Sequence, residues 1–279
     1  MKTEDPFDIG ELIDIGIEIR NRIKHVIKNN PKYAEKVNPP RPKHSQETNP
    51  VRRMDYEAEK ALINSLINRN LSARIISEEL GDHTVGNHPD FLLVFDPIDG
   101  STNAACGIPF YCTSLAYTEK IESATFNDIS MAVICDIQGN TYHAERDKGA
   151  FFNGVEISKI ASKRCTKSEI LSVFSYGVPE IPKGLIELFK KKKARTFGSI
   201  ALEICLVARG TFDGVIDTRR DLSGYDIAAS ALILQEAGGF LTDLRGDNLS
   251  NNVQDKDLSI IGTKNKELHD EIARMLGGK

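Results

Sequence analysis

Apolar residues recur at helical spacing near the beginning of the chain. Between Phe7 and Lys28 they occupy positions 9, 12, 13, 15, 17, 19, 23, 26 and 27, which predicts a first helix. A second helix is predicted to begin near Asp55, in "DYEAEKALINSLINRN". Residues 29–51, "NNPKYAEKVNPPRPKHSQETNPV", contain several prolines and no periodicity. We expect this stretch to be either a functional lid or a disordered linker.

Short apolar runs dominate the rest of the chain. "ARIIS" and "FLLVF" predict strands that run into carboxylates, and the runs between about Phe110 and Ile160, separated by Gly and Asn, predict an antiparallel meander. Beyond Lys167 strand-like and helix-like runs alternate, from "ILSVFSYGV" to "KELHDEIARML". The pattern predicts a layered α/β fold, with an N-terminal half (1–165) and a C-terminal half (166–279) forming one compact unit.

Composition narrows the class of protein. The 279 residues are 40% hydrophobic and 27% charged, and the net charge of −4 argues against a nucleic-acid partner. Apolar runs of membrane-spanning length and a signal-peptide pattern are both missing from the sequence, so we expect no membrane partner. The five cysteines show no CxxC spacing, which favours a reducing, cytoplasmic location.

Carboxylates follow or precede the predicted elements at three places. Glu78 and Glu79 come after "ARIIS", Asp96 and Asp99 come after "FLLVF", and Asp226 precedes a predicted helix. Carboxylates at neighbouring strand ends repel one another unless a cation lies between them. Oxygen ligands without His or Cys select Mg²⁺ or a similar ion.

The string "DPIDGST" is the strongest of these signals. Pro97 fixes the turn between the aspartates, Gly100 allows close backbone approach, and "GSTNAA" can open a helix whose free N–H groups offer a phosphate seat. Taken singly, an aspartate after a strand is commonly a turn former, and Asp226 alone is more often a helix N-cap. Caps and turns explain no more than one of the two aspartates in this string.

With "SEE" upstream and "YDIAASALILQEAGG" downstream, "DPIDGSTN" resembles the inositol monophosphatase and fructose-1,6-bisphosphatase superfamily of Mg²⁺-dependent, lithium-sensitive phosphatases. Order and spacing match from about Phe7 to Leu276, although Tyr225 stands where the family usually has Trp or Val. "RTFGSIALEICLVARG" and "DTR" are similar to the archaeal bifunctional type. The resemblance implies a layered αβαβα sandwich, a homodimer, and two or three Mg²⁺ ions for which Mn²⁺ can substitute.

The resemblance also implies roles for single residues. It implies that metal ions bind to Glu78, Asp96, Asp99, Asp226 and the Ile98 carbonyl. Glu79 matches a neighbour that is less directly involved.

Other matching residues concern phosphate and water. Asp99, Gly100 and Ser101 match the phosphate cradle, and Asp55 matches an aspartate near the third metal and the nucleophilic water. Asp55, Glu78 and Ser101 are therefore the implied catalytic residues. A helix N-cap is an equal alternative for Asp55.

Substrate contacts are expected from the second half of the chain. Arg195 and Arg219 have the forked donors that suit phosphate, and Asp217 and Asp226 complete the candidate set. A positive residue here favours a bisphosphate. A surface ion pair is the alternative for either arginine.

These observations predict a Mg²⁺-dependent phosphatase of a small sugar phosphate, fructose-1,6-bisphosphate and/or inositol-1-phosphate, in which metal-activated water attacks phosphorus. One alternative is a phosphatase of the same fold acting on 3′-phosphoadenosine 5′-phosphate or NADP; aromatic residues near the substrate would favour it, and the sequence shows few. Another is a non-catalytic metal- or phosphate-binding module, which a missing ligand carboxylate would favour, but all are present. Neither GxxxxGK[ST] nor GxGxxG occurs, which disfavours a kinase or dehydrogenase.

Overall fold

The computed structural model describes residues 7–41, 49–160 and 168–277. The helices in these ranges are α1 (Ile9–Asn29), α2 (Arg53–Asn68), α3 (Ser101–Cys106), α4 (Lys183–Lys191), α5 (Ile200–Ala208), α6 (Gly224–Glu236) and α7 (Lys266–Leu276). The strands are β1 (Lys36–Val37), β2 (Val51–Arg52), β3 (Ala73–Ser77), β4 (Gly81–Val85), β5 (Phe91–Asp99), β6 (Cys112–Thr118), β7 (Met131–Asp136), β8 (Thr141–Glu145), β9 (Gly149–Phe152), β10 (Val155–Glu156), β11 (Ile170–Phe174), β12 (Lys193–Arg195), β13 (Gly214–Leu222), β14 (Phe240–Thr242) and β15 (Leu258–Thr263).

Two sheets form the frame of the molecule. The larger has the strand order β10-β9-β8-β7-β6-β5-β3-β4, and the run from β6 through β10 is the predicted antiparallel meander. Within it, β3 and β5 are parallel. The smaller sheet has the order β12-β11-β13-β15-β14, in which β11 runs parallel to both of its neighbours.

Helices cover both faces of each sheet. On one face of the large sheet, α1 and α2 bury residues such as Leu12 and Leu62 against Leu93. Between the sheets, α5 and α6 pack against Leu92 on one side and Val215 on the other. On the far face of the small sheet, α4 and α7 pack against β11, β13 and β15. The predicted α/β fold, a layered αβαβα sandwich, is confirmed.

Strand β5 lies in the middle of the large sheet with helices on both faces. All nine of its residues are buried, and alternate side chains enter the two different cores. A strand covered on both faces reads as a continuous apolar run, which is why "FLLVF" precedes the carboxylates. None of the helices in the described ranges, α1 included, has the apolar length that crossing a bilayer requires.

Predicted boundaries hold to within a few residues in most elements. Helix α1 begins two residues later than predicted, after Asp8, whose side chain accepts a hydrogen bond from the Glu11 N–H at 3.0 Å. One of the alternating strand-like runs beyond Lys167 is short, since β12 ends at Arg195. Within the predicted loop of residues 29–51, β1 pairs with β2, while residues 42–48 lie outside the described ranges.

Candidate active site

The end of β5 carries two of the predicted carboxylates. Side chains alternate along a strand, so Asp96 and Asp99, three residues apart, would ordinarily point to opposite faces. The pairing with β6 shifts by one residue between them, because Asp96 lies opposite Ser114 and Asp99 lies opposite Cys112. Pro97, which has no N–H for the ladder, falls within this bulge. The extra residue brings both buried carboxylates close enough to repel each other.

Glu78 reaches the same place from the neighbouring strand. Ser77, the last residue of β3, pairs in parallel with Phe95, and the Glu78 N–H donates to the Phe95 carbonyl at 3.3 Å. The carboxyl ends of parallel strands meet at one edge of a sheet. The Glu78 and Asp96 carboxyls are thus neighbours, close enough for the Glu78 charge to raise the pKa of Asp96.

Asp55 and Asp226 approach this cluster from the first turns of two helices. Ser223 caps α6, and its N–H donates to Asp226 Oδ2 at 2.6 Å. Asp55 is the third residue of α2, and the cap residue Arg52 makes no side-chain capping bond. The N-cap alternatives for Asp55 and Asp226 are therefore wrong. Both aspartates lie close enough to Glu78 to raise its pKa.

Burial and mutual repulsion raise the pKa of every carboxyl in this cluster. Burial, with repulsion from Glu78 and Asp99, raises the pKa of Asp96 well above its usual range. Burial raises the pKa of Asp99 to about 6 and that of Asp226 to about 7, although hydrogen bonds limit both. Desolvation and repulsion from Asp226 also raise the pKa of Glu78; its side chain is open to the cavity, so solvent weakens this effect relative to Asp96.

The donor set suits a hard divalent cation. Asp55 Oδ2 and Asp96 Oδ1 are buried and have no hydrogen-bond partner among the described residues. Ile98, whose carbonyl is a predicted ligand, is buried in the bulge beside them. Such oxygen atoms, with repelling charges around them, fit Mg²⁺.

The carboxylates are not yet arranged as a ligand shell. Across residues 7–41, 49–160 and 168–277, no three Asp, Glu, His or Cys side chains already converge as metal ligands do. Asp99 contributes to this, because its carboxylate accepts hydrogen bonds from the Ser199 hydroxyl at 2.5 Å and the Ala201 N–H at 2.8 Å. Binding a cation would require these side chains to reorient.

Gly100 and Ser101 follow directly after β5. Gly100 has φ 89°, and a Cβ on it would lie 3.1 Å from the Phe110 carbonyl oxygen and 3.2 Å from that of Gly198. Only glycine meets both demands. Ser101 opens α3, and its Oγ accepts a hydrogen bond from Arg52 Nη1 at 2.7 Å.

A cavity of about 970 Å³ opens above the carboxylates. Glu78, Asp99, Gly100, Ser101 and Asp226 belong to its lining. The lining also includes Arg219 and aromatic side chains, namely Phe174, Tyr176, Phe197 and Tyr225. The sequence therefore underestimated the aromatic content of the substrate side, since these four residues come from separate segments of the chain.

Arg219 lies where substrate was predicted, but Asp217 does not. The Arg219 guanidinium donates twice to Asp217 Oδ2, at 2.6 and 3.0 Å, and once to the Tyr176 hydroxyl, at 2.6 Å. It also lies 4.7 Å from the Phe174 ring centroid and 4.8 Å from that of Tyr176. Asp217 is fully buried, so the prediction that it contacts substrate is wrong. Its carboxylate holds Arg219 instead.

Arg195, also predicted to contact substrate, does not line the cavity. It is exposed at the end of the edge strand β12, and its Nη1 donates to the Ala194 carbonyl at 2.7 Å. The cavity wall begins one residue later, at Thr196. Strand alternation separates neighbouring side chains in this way, and a sequence motif does not reveal which of them faces the cavity.

The sequence analysis missed two residues near the cluster. Arg52 lies three residues before Asp55 and partly offsets its repulsion from Glu79. Glu59, fully buried on α2 one turn beyond Asp55, faces the Ser77 hydroxyl and the N–H groups of Glu79 and Leu80. Its i, i+4 spacing from Asp55 was a usable signal, because such residues share a helix face.

This fold is that of a known family of phosphatases that are generally metal-dependent. The model of the inositol monophosphatase family matches residues 8–277. The chain belongs to this family, which confirms the resemblance seen in the sequence.

Two of the similar proteins carry different names. A fructose-1,6-bisphosphatase/inositol-1-monophosphatase of Methanothermobacter thermautotrophicus is 34% identical over 241 residues, covering 81% of this chain and 83% of the relative. A bifunctional NADP phosphatase/NAD kinase of Methanococcus maripaludis is 35% identical over 247 residues, covering 82% of this chain. The match spans only 43% of that relative's length.

A solved structure agrees in shape. The crystal structure of an inositol monophosphatase–fructose 1,6-bisphosphatase superimposes with a TM-score of 0.77 at 29% identity, covering 96% of this chain and 98% of the other. The shared architecture therefore extends over almost the whole chain.

Proposed function

We propose that this chain is a Mg²⁺-dependent phosphatase that hydrolyses fructose-1,6-bisphosphate and/or inositol-1-phosphate. The observation that carries the proposal is the pairing of two opposite features in one cavity. Carboxylates just after β3, at the end of β5 and in the first turn of α6 line it together with the Arg219 guanidinium, which lies close enough to Asp226 to lower the pKa of that carboxyl. A phosphate ester bridging them would meet bound cations at one end and a fixed positive charge at the other.

The metal ions would be held by Glu78, Asp96, Asp99, Asp226 and the Ile98 carbonyl, two or three at a time. Bound there, Mg²⁺ supplies neutralisation of phosphate charge, an acidified water and stabilisation of the leaving alkoxide, and Mn²⁺ can substitute for it. The buried, unpartnered oxygens of Asp55 and Asp96 support this assignment.

The chain's own residues would orient the ester. Gly100 allows the tight turn after β5, because a Cβ would crowd the Phe110 and Gly198 carbonyl oxygens, and this turn brings Ser101 to the cavity. The Ser101 hydroxyl would donate a hydrogen bond to a phosphate oxygen. Asp55 would accept a proton from the attacking water.

Arg219 would bind the second phosphate of a bisphosphate or a sugar hydroxyl. Asp217 and Tyr176 fix the guanidinium in place, so less side-chain freedom is lost on binding. This arrangement supports a bisphosphate ahead of a simple monophosphate.

The test is phosphate release in the presence of Mg²⁺ and of EDTA. The expected result is Mg²⁺-dependent turnover of fructose-1,6-bisphosphate and inositol-1-phosphate, with loss of activity in EDTA and recovery on adding back Mg²⁺ or Mn²⁺. Turnover that persists in EDTA would contradict the metal assignment. A folded protein that hydrolyses no phosphate ester would favour the non-catalytic alternative.

A second candidate substrate is NADP or 3′-phosphoadenosine 5′-phosphate. The observation that favours it is the aromatic wall, where Tyr176 is 56% and Phe197 is 42% exposed beside the cavity. Exposed aromatic faces can stack on a nucleobase. The Methanococcus maripaludis relative is named an NADP phosphatase. Turnover of these nucleotides, but not of sugar phosphates, would move the assignment to this candidate.

Assembly and location remain predictions. We infer a homodimer from the family resemblance, and sedimentation equilibrium of the purified chain tests it. The cytoplasmic location and the division into halves at residues 165 and 166 stay predictions as well.

A further inference from the structure

Arg52 makes a contact that the proposed function does not explain. Its Nη1 donates to Ser101 Oγ at 2.7 Å, across 49 positions of sequence. Both residues are partly buried, and Ser101 lines the cavity. A guanidinium keeps its proton at all ordinary pH values, so it always donates in this contact.

This contact constrains what the Ser101 hydroxyl can do. One lone pair of Ser101 Oγ is occupied by Arg52, and its single proton meets no hydrogen-bond acceptor among the described residues. That proton is therefore available to an acceptor in the cavity. A donor on the oxygen also polarises the O–H bond and strengthens it as a donor in turn.

Arg52 is held in place from two directions. Its backbone belongs to β2, where it pairs with Lys36 of β1, and the next N–H, of Arg53, donates to the Glu35 carbonyl at 3.0 Å. Its charge lies close enough to Asp55 to lower that residue's pKa against the effect of burial. The guanidinium therefore occupies a fixed position between the first turn of α2 and the first residue of α3.

We propose that Arg52 is a positioning residue that holds the Ser101 hydroxyl as a hydrogen-bond donor to the substrate's phosphate. The inference rests on the proposed function for the identity of the ligand as a phosphate. It gives Arg52 an action through Ser101 and no contact of its own with the reacting atoms.

A double-mutant cycle tests this action. The variants are Arg52→Met, Ser101→Ala, the double variant and Arg52→Lys, and the readout is the Kd of inorganic phosphate by titration calorimetry with Mg²⁺ present. Each of the first two single variants should weaken binding about 10-fold, the size expected for one hydrogen bond to a charged group. The double variant should bind no more weakly than Ser101→Ala alone, because both changes remove the same interaction. Arg52→Lys should recover most of the affinity, since one N–H donor is enough.

Lys36→Met is the matched control. Lys36 pairs with Arg52 across the β1–β2 ladder, carries the same charge and is exposed. Its phosphate affinity should stay within about twofold of wild type, in keeping with an exposed charge. An equal loss in Lys36→Met and Arg52→Met would mean that net charge is responsible, and it would overturn the inference.

Other outcomes also overturn it. These are a double variant whose loss is the product of the single losses, an Arg52→Met variant with wild-type affinity, and a wild-type protein that binds no phosphate in Mg²⁺. Thermal unfolding of each variant establishes that it is folded. Because phosphate binding needs no turnover, a protein that hydrolyses none of the proposed substrates but shows the expected cycle would disprove the proposed function alone.

Discussion

The Asp99 carboxylate accepts a 2.5 Å hydrogen bond from the Ser199 hydroxyl, which joins the end of β5 to the residue that precedes α5. The Ile200 and Ala201 N–H groups donate to the same carboxylate. Asp99 therefore connects the large sheet to the central helix layer and also lines the cavity. Because Asp99 serves both the fold and the cavity, a small substitution there can test its role in activity while the fold is kept.

We predict that Asp99→Asn abolishes phosphate release and leaves the fold intact. Asparagine keeps one oxygen for the Ser199 hydroxyl and the Ala201 N–H, which donate to the same Asp99 oxygen, but it removes the negative charge that a cation needs. Phosphate release in Mg²⁺ should fall at least ~100-fold, as for losses around metal sites, while circular dichroism stays unchanged.

Asp90→Asn is the control for that substitution. Asp90 immediately precedes β5, is exposed, and lies at the opposite end of the strand from the cavity. Its activity should match wild type. Near-normal turnover by Asp99→Asn would show that the reaction does not depend on this carboxylate.

Cation binding should stabilise the fold, and more so at alkaline pH. The folded-state pKa is about 6 for Asp99 and about 7 for Asp226, both above their unfolded value of 3.8, so without metal they favour folding only while protonated. That stability is full below about pH 4 and is lost as pH rises through 6 to 7. Mg²⁺ should therefore raise the Tm of EDTA-treated protein at pH 8 by several degrees, and by less at pH 5.

NaCl at matched ionic strength is the control, because it screens exposed charges without binding as a hard divalent cation does. Scanning calorimetry at the two pH values provides the measurement. An equal rise in Tm at both pH values, or the same rise with NaCl, would argue against a carboxylate-bound cation.

Residues that act within one stretch of sequence were predictable, and those that act across the fold were not. Asp96 and Asp99 could be recognised because one string contains the strand, the proline of the bulge and the glycine of the turn. Arg195 and Arg219 look alike as sequence, yet Arg195 is exposed on an edge strand while Arg219 faces the cavity. Which of the two arginines faces the cavity is known only from the strand pairing and the burial of Asp217.

Glu59 gives a pH-dependent stability that the sequence alone does not reveal. Burial raises its pKa to about 8, compared with 4.5 when unfolded, so the folded chain keeps a proton that the unfolded chain loses. Stability is full below about pH 4.5 and falls as pH rises through about 8, by up to ~1.4 kcal/mol per pH unit. Glu59→Gln should remove this slope. Its free energy of unfolding, measured with urea in EDTA, should therefore rise relative to that of wild type between pH 5 and pH 8.

Glu57→Gln on the same helix is the comparison. Partial burial raises the pKa of Glu57, but its ion pairs with Arg22 and Lys60 outweigh this and leave the pKa below its usual range. Its ionisation therefore contributes no slope between pH 5 and pH 8. If Glu59→Gln and wild type have the same pH profile, Glu59 is not protonated in the folded protein.

Arg219, in the lining of the cavity, should set the preference between a bisphosphate and a monophosphate. Arg219→Met removes the charge that would meet a second phosphate, so the KM for fructose-1,6-bisphosphate should rise about 10- to 100-fold, the cost of a charged hydrogen bond. The KM for inositol-1-phosphate should change much less.

Asp217→Asn should shift the same constants in the same direction but by less, because it loosens the guanidinium without removing it. Arg195→Met, which alters an exposed arginine outside the cavity, should leave both KM values unchanged. Equal increases in the two KM values for Arg219→Met would mean that this residue binds the hydrolysed phosphate itself, and the bisphosphate preference would then have to come from elsewhere in the cavity.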